Sequence, residues 1–320
     1  MSQTAQVADL TTNRAPFIED AKSRGELFIT QPYEQYSDAN QETWRRLYSA
    51  LEPKWRRFAH PHFLRGLDRL ALDPERIPRL DEVNDFLAPL SGFQSKAVSG
   101  YVPTYLFFDC LRRREFPTTI TIRDGSSLDY LPEPDIFHDL AGHVPMHTDR
   151  RFSDVLVRFG EVAASAARQV QRIADERRRL RTVESVIKAM ARFFWFTVEF
   201  GLMRRPDGDD GARSEASSEL CVYGSGLLSS AEEIEYSVTS PDVQRYPFQI
   251  EWVVNQYFEI HHLQPLLFVI DDFDHLFEEV GRLEEWVLAG RLDNVAPGEP
   301  LVNEDDLRSF LDAAFQNVPH

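Results

Sequence analysis

The chain has 320 residues, with 35 Lys plus Arg against 52 Asp plus Glu, a formal charge of −17 and an apolar fraction of 42%. Such a chain is not dominated by disorder, and its length allows one large domain or two modest ones that bury a core unaided. The acidic balance argues against nucleic acid and anionic lipid, polyanions that need clustered cations, and leaves small molecules as partners.

Residues 1–25 are polar and aperiodic and read as a flexible tail, with one domain expected over 26–320. Between 40 and 71, Trp44, Leu47, Leu51 and Trp55 recur at helical spacing and Phe63, Leu67 and Leu70 repeat it, which predicts core helices interrupted at Pro61. A short amphipathic helix follows over 81–90. Residues 90–123 then read as strand, turn, helix and a β-branched strand at 118–122, with a bend at Gly100, Tyr101, Val102 and Pro103. Long helices are expected over 152–180, 183–202 and 250–287, so the fold class is mainly α with short β-strands, an α+β chain without internal repeats.

The polar, glycine-bearing stretch 204–219 breaks this patterning and is expected as a surface loop inserted in the one domain. The basic run 176–181 is expected as a solvated helix-end face that complements the helix dipole. Cys110 and Cys221 are too far apart for a C-x-x-C pair, so neither a disulfide framework nor a thiolate zinc site is expected and a reducing compartment fits. No stretch reaches the roughly 18 apolar residues of a membrane span and no signal peptide is visible, so a cytoplasmic protein without membrane contact is expected.

Chemistry concentrates in PEPDIFHDLAGHVPMHTD, residues 132–149, where His138 and His143 stand five positions apart behind Asp135. Zinc peptidases place two histidines at i and i+4 on one helix face, whereas a five-residue step turns about 140° around an ideal helix. A metal-dependent hydrolase is therefore disfavoured. The two imidazoles converge only if the helix ends or widens near Gly142, and Pro145 supports an ending. Glu199, a lone carboxylate among Phe194, Trp195, Phe196, Val198 and Phe200, needs a cation or a hydrogen-bond partner and is the candidate third ligand. Two imidazoles and a carboxylate fill one face of an octahedron and leave the other open, as in non-haem iron(II) oxygenases. His147 reads as a surface residue of the turn, and His60, His62, His261, His262, His275 and His320 receive no role.

FPTTITIR, LDYLPEPDIFHDLAGHVP, FFWFTVEFGL and VYGSGLLSS occur in that order. Through them the chain, from about residue 44 to 277, resembles the pterin-dependent aromatic amino acid hydroxylases, most closely the single-domain bacterial phenylalanine 4-monooxygenases. The resemblance implies a single catalytic domain of that type, with His138, His143 and Glu199 holding Fe(II). It also implies a tetrahydropterin cofactor and O2 as co-substrate, used to hydroxylate an aromatic amino acid, foremost L-phenylalanine to L-tyrosine. It assigns Arg123 to the substrate carboxylate, Trp195, Gly226 and Ser229 to the amino acid pocket, and Phe107 to stacking on the pterin. The backbone at Gly100 and Val102 is assigned to hydrogen bonds with the pterin, and Asp139 to a contact with it through water. Asp135 is expected either to hold the second ring nitrogen of His138 or to cap the helix.

The chain departs from the family pattern at Asp139 and Leu131, where animal members carry Glu and Thr, and at Phe194, where Tyr is usual. The 204–219 loop is also longer than in bacterial members. Without a regulatory module or heptads after residue 280, a monomer is expected. Tryptophan hydroxylation and phenylalanine 3-hydroxylation are the sister specificities, and a catalytically silent metal-binding scaffold is the reading from another class.

Overall fold

Buried apolar faces hold the helices in place, while caps and prolines set where several of them begin. A computed structural model describes residues 10–11, 15–126, 128, 134–206 and 219–316. Leu131, residues 1–9 and 12–14 of the expected tail, and 207–218 of the expected loop lie outside the described residues. The remainder of the supposed tail is not loose. The Leu10 carbonyl accepts the Ile122 N–H at 2.9 Å, and α1 (Pro16–Ser23) buries Ile18 and Ala21.

Helix α2 (Asp38–Phe58) starts in a capping box between Ser37 and Asn40, which satisfies orphan N–H groups of the first turn. It buries Trp44, Leu47, Leu51 and Trp55, the side chains its periodicity singled out. Pro61 then opens α3 (Pro61–Leu70), where its missing N–H costs nothing. His60, assigned no role from the sequence, caps that helix by accepting the His62 N–H at 3.1 Å and is buried.

After α4 (Leu80–Leu87), β1 (Gln94–Val98) leads through the expected bend to α5 (Thr104–Arg112) and β2 (Glu115–Thr119). The strand expected at 118–122 therefore lies earlier. Its parallel register, from Gln94 against Glu115 to Val98 against Thr119, is used up at Thr119, and the chain then turns to pair Ile122 with Leu10 and Thr121 with Ile136.

A widened π-helical turn at His138–His143 runs on into α6 (Val144–His147), so the helix expected to end near Pro145 widens and continues. Helix α7 (Arg150–Gln171) packs on α5, and α8 (Glu176–Phe194) starts anew where Asp175 accepts the Arg178 N–H at 2.6 Å. The basic run consequently occupies the first turns of α8, solvated but at the end that does not complement the helix dipole. A second π segment, Trp195–Glu199, closes α8, with Phe200 N–H donating to the Trp195 carbonyl at 2.8 Å.

Beyond it come β3 (Leu202–Arg204), β4 (Leu220–Val222), α9 (Ser225–Leu228), α10 (Glu233–Thr239), β5 (Gln244–Pro247) and α11 (Ile250–Val253). The long helix expected over 250–287 is not formed. Pro265 and the β-branched, apolar LLFVI run make β6 (Leu266–Ile270), an inner strand of the sheet ordered β4, β3, β6, β5, and Asp272 then caps α12 (Phe273–Leu288). Helix α13 (Glu304–Gln316) packs on α5, α7 and α8. No helix among the described residues is long and apolar enough to cross a membrane.

Two tryptophans of α2 seat the segment that carries the histidines. Phe137 packs on Trp44 at 5.0 Å and on Trp55 at 6.4 Å between ring centroids, and Trp55 Nε1 donates to the Leu228 carbonyl at 2.6 Å. All three rings are fully buried, each contributing about 1.5–3 kcal/mol of apolar burial.

Candidate metal centre and active site

Hydrogen bonding from i to i+5 places the fifth residue back over the first, which an α-helical turn does not do. The π turn thus aims two imidazoles at one point, with His138 Nε2 and His143 Nε2 3.1 Å apart. The π segment at the end of α8 delivers Glu199 to the same point, its carboxylate oxygens 3.5 Å from His138 Nε2 and 3.3 Å from His143 Nε2. Ligands bonded to one ion at about 2.1 Å and at right angles lie about 3.0 Å apart, so these three side chains, two ring nitrogens and a carboxylate, are spaced for a single first-row cation.

Their charge states suit the same task. Burial alone would raise the Glu199 carboxyl, but the adjoining imidazole of His143, then His138 and the Ser225 hydroxyl, hold it down at about 2. Burial keeps His138 neutral, with a pKa of about 4 despite the opposing charge of Glu199. An ionised carboxylate and a neutral imidazole are the forms that bind a metal. His138, Asp139 and His143 also offer ligand atoms within 4.8 Å of one another. Asp139 is less suited, because burial raises its carboxyl to about 7 and its Oδ2 accepts the Thr119 N–H at 2.6 Å.

The second nitrogen of His138, Nδ1, lies 2.8 Å from the Ser229 hydroxyl, which orients the ring with Nε2 inward. Asp135, one expected holder of that nitrogen, is engaged otherwise. Its oxygens accept the Arg123 guanidinium at 2.8 and 3.0 Å and the backbone N–H groups of Arg123 and His138 at 3.0 and 2.9 Å. Of the two readings of Asp135, the helix cap is the one the geometry contains. Burial would raise its carboxyl, but Arg123 and the two N–H groups hold it below the usual carboxylate range. A buried fork-to-carboxylate pair fixes the guanidinium plane.

A cavity of about 320 Å³ opens beside these groups. The bend and α5 contribute Tyr101, Val102, Thr104, Phe107 and Phe108, and the end of α8 contributes Ala191, Phe194, Trp195, Glu199 and Phe200. Arg123, Pro134, His138, Gly226, Ser229, Ser230 and Phe258 complete the lining. Trp195 stacks on Phe200 and Phe258 at 4.2 and 4.1 Å, while its Nε1 donates to Gln264 at 3.3 Å. Phe107 meets Phe194 edge-on at 5.5 Å.

Two glycines are spatially necessary. A Cβ on Gly226 would lie 2.7 Å from the Phe200 ring and 3.0 Å from the Glu199 carbonyl, and Gly100 adopts φ +153° at the bend, a conformation that disfavours side chains. The structure therefore brings Gly226, Ser229, Trp195, Phe107, Val102 and Arg123 to one cavity with His138 and Glu199, whereas Asp139 lies buried outside its lining.

Sequence reasoning missed Ser225, whose buried hydroxyl lies 2.9 Å from both His143 Nε2 and Glu199 Oε2. It missed Phe258 and Gln264 because the expected helix over 250–287 hid their loop. His147, expected at the surface, is fully buried against Phe93 and Phe116, with neither ring nitrogen hydrogen-bonded among the described residues. Its apolar neighbours Met146 and Val144 were the available signal of that burial.

The family profile described as biopterin-dependent aromatic amino acid hydroxylase matches residues 24–287. The chain is 34% identical to a phenylalanine-4-hydroxylase of Ralstonia nicotianae over 80% of this chain and 73% of the relative, and 37% identical to one of Caulobacter vibrioides over 80% and 78%. It is 31% identical to the phenylalanine-4-hydroxylase of Chromobacterium violaceum over 96% of each. A structure of that bacterium's phenylalanine hydroxylase with iron(III) and oxidised 7,8-dihydrobiopterin covers 85% of this chain and 91% of its own, with TM-score 0.69 and 32% identity. A cobalt-bound structure of the same enzyme gives TM-score 0.71 at 31% identity, covering 85% of this chain and 88% of its own.

Proposed function

Because the chain belongs to the biopterin-dependent aromatic amino acid hydroxylases, we propose that it converts L-phenylalanine to L-tyrosine using O2 and a tetrahydropterin. Phenylalanine is favoured over tryptophan by the shared name of its bacterial relatives. The observation that carries the reading is the convergence of His138, His143 and Glu199 within 3.1–3.5 Å beside an aromatic cavity that contains Arg123.

In this reading His138, His143 and Glu199 hold Fe(II), and the iron and pterin together supply the activation of O2 that ring hydroxylation requires. The residues of the chain do the rest. Ser229 keeps the His138 ring turned with Nε2 toward Glu199. Arg123, oriented by Asp135, is the cation in the cavity suited to the amino acid carboxylate. Trp195, held between Phe200 and Phe258, borders the space for the substrate ring with its edge, and Gly226 lets Phe200 sit close to Glu199. Phe107 and the backbone at Gly100 and Val102 present the pterin side. Asp139, buried outside the cavity lining with its Oδ1 4.0 Å from His138 Nε2, would meet the pterin only through water that enters beside His138. The apolar lining keeps bulk water from the reacting groups. We read the chain as a monomer in the cytosol; its two free, buried cysteines fit a reducing compartment, and fractionation and light scattering test location and oligomeric state.

The test is anaerobic loading with Fe(II), then tetrahydropterin, O2 and either phenylalanine or tryptophan, with products separated against ortho-, meta- and para-tyrosine. Para-tyrosine supports the proposal. Meta-tyrosine or a hydroxytryptophan would move the chain to a sister specificity, and bound iron with no turnover would leave a silent scaffold. Glu199→Ala is expected to lose bound iron and about a hundredfold or more of the activity.

A further inference from the structure

The family profile stops at residue 287, yet α13, beyond it, reaches back to the cavity. Asp306 in its first turn is a carboxylate only 3% exposed. Its Oδ1 accepts the Tyr101 hydroxyl at 2.6 Å, the Thr104 N–H at 2.8 Å and the Thr104 hydroxyl at 2.6 Å. Its Oδ2 accepts the Asn303 N–H at 3.3 Å, and the Asn303 side-chain amide donates to the Tyr101 hydroxyl at 3.0 Å. Four residues further along α13, Phe310 is fully buried and meets Tyr105 edge-on at 5.2 Å.

The segment so gripped has little of its own to hold it. Residues 101–103 belong to no helix or strand, Gly100 is in a permissive backbone region and Pro103 has no N–H. Pro103, at the cap position of α5, also supplies no side-chain acceptor for the first turn, and Asp306 provides that cap from 202 residues away. A carboxylate at this end also complements the positive pole of α5. Tyr101, Val102 and Thr104 all line the cavity.

We propose that Asp306 is a positioning residue, which clamps residues 101–104 in the shape that receives the pterin and so makes cofactor affinity depend on α13. This rests on the reading of Gly100, Val102 and Phe107 as the pterin side. A segment in its competent shape for only a fraction of the time binds more weakly by that fraction.

The test uses the full iron-loaded chain, wild type and the variants Asp306→Ala and Asp306→Asn. Tetrahydropterin Kd is read anaerobically by quenching of tryptophan fluorescence, alongside iron stoichiometry and the KM values of pterin and phenylalanine. Asp306→Ala is expected to raise pterin Kd and KM about tenfold, with iron content and phenylalanine KM within about twofold of wild type. Asp306→Asn, which keeps an acceptor but loses the charge, is expected between the two, and decides alone if the alanine variant does not fold. Unchanged pterin Kd in the folded variants would overturn the clamp. So would a parallel loss of iron, phenylalanine and pterin binding, which marks general loosening. A wild-type enzyme that takes up no tetrahydropterin would instead overturn the cofactor reading beneath it.

Discussion

Ser225 has one proton to donate and three acceptors within reach: His143 Nε2 and Glu199 Oε2, each at 2.9 Å, and the Val198 carbonyl at 3.1 Å. A cation taking the lone pair of His143 Nε2 would leave the hydroxyl to restrain Glu199. Ser225→Ala is therefore expected to weaken Fe(II) or Co(II) binding about tenfold, measured by competition with a chelator, while the folded state persists. Unaltered affinity would show that Glu199 needs no such restraint. Arg123 carries two duties at once, partner to Asp135 and candidate anchor for the substrate. Removing it as Arg123→Ala strands a buried carboxylate, a loss of about 3–5 kcal/mol seen in urea unfolding. Arg123→Lys keeps the charge but not the fork, so its larger effect is expected on phenylalanine KM.

Both π segments are elements whose irregularity has a use, because each ends with a metal-site candidate pointed inward. The turn of α9 against Glu199 depends on close packing, and Gly226→Ala would push the Phe200 ring on which Trp195 stacks. Its expected consequence is a ten- to hundredfold lower kcat/KM for phenylalanine with iron binding retained, checked by steady-state kinetics and metal analysis. At this scale much was legible beforehand. The five-residue spacing of His138 and His143 demanded a widened or ended helix, and the lone carboxylate at 199 demanded a partner. The α2 and α3 stripes were visible because helical periodicity is repeated over many residues. The 266–270 strand was not, since a short apolar run reads alike as inner strand or buried helix and only pairing with β3 and β5 separates them. The Asp135–Arg123 pair joins residues 12 positions apart, which helical or strand spacing does not encode, and the burial of His147 was signalled only by its apolar neighbours Val144 and Met146.

For the molecule as a whole, buried neutral histidines set the acid limit. Burial, helped by His62 and nearby cations, lowers His60 to about 3, and burial with His143 puts His147 well below its ordinary value of 6.5. The folded chain thus binds fewer protons than the unfolded one below about pH 6.5, and stability falls as pH drops through that point, by up to about 1.4 kcal/mol per pH unit for each group. His147→Phe is expected to flatten this slope by one proton and to add about 1 kcal/mol at pH 7, both readable from urea melts across pH. Arg192, fully buried one position past the cavity residue Ala191, donates to the carbonyls of Val254, Ala296, Pro297 and Glu299 and so binds the stretch before α13 to α8. These late segments give assembly an order in time. On the ribosome His138, His143, Glu199 and Ser225 are all made some seconds before Asp306. A chain made as far as α12 but not α13 would carry its three candidate ligands while residues 101–104 still lacked the carboxylate that fastens them.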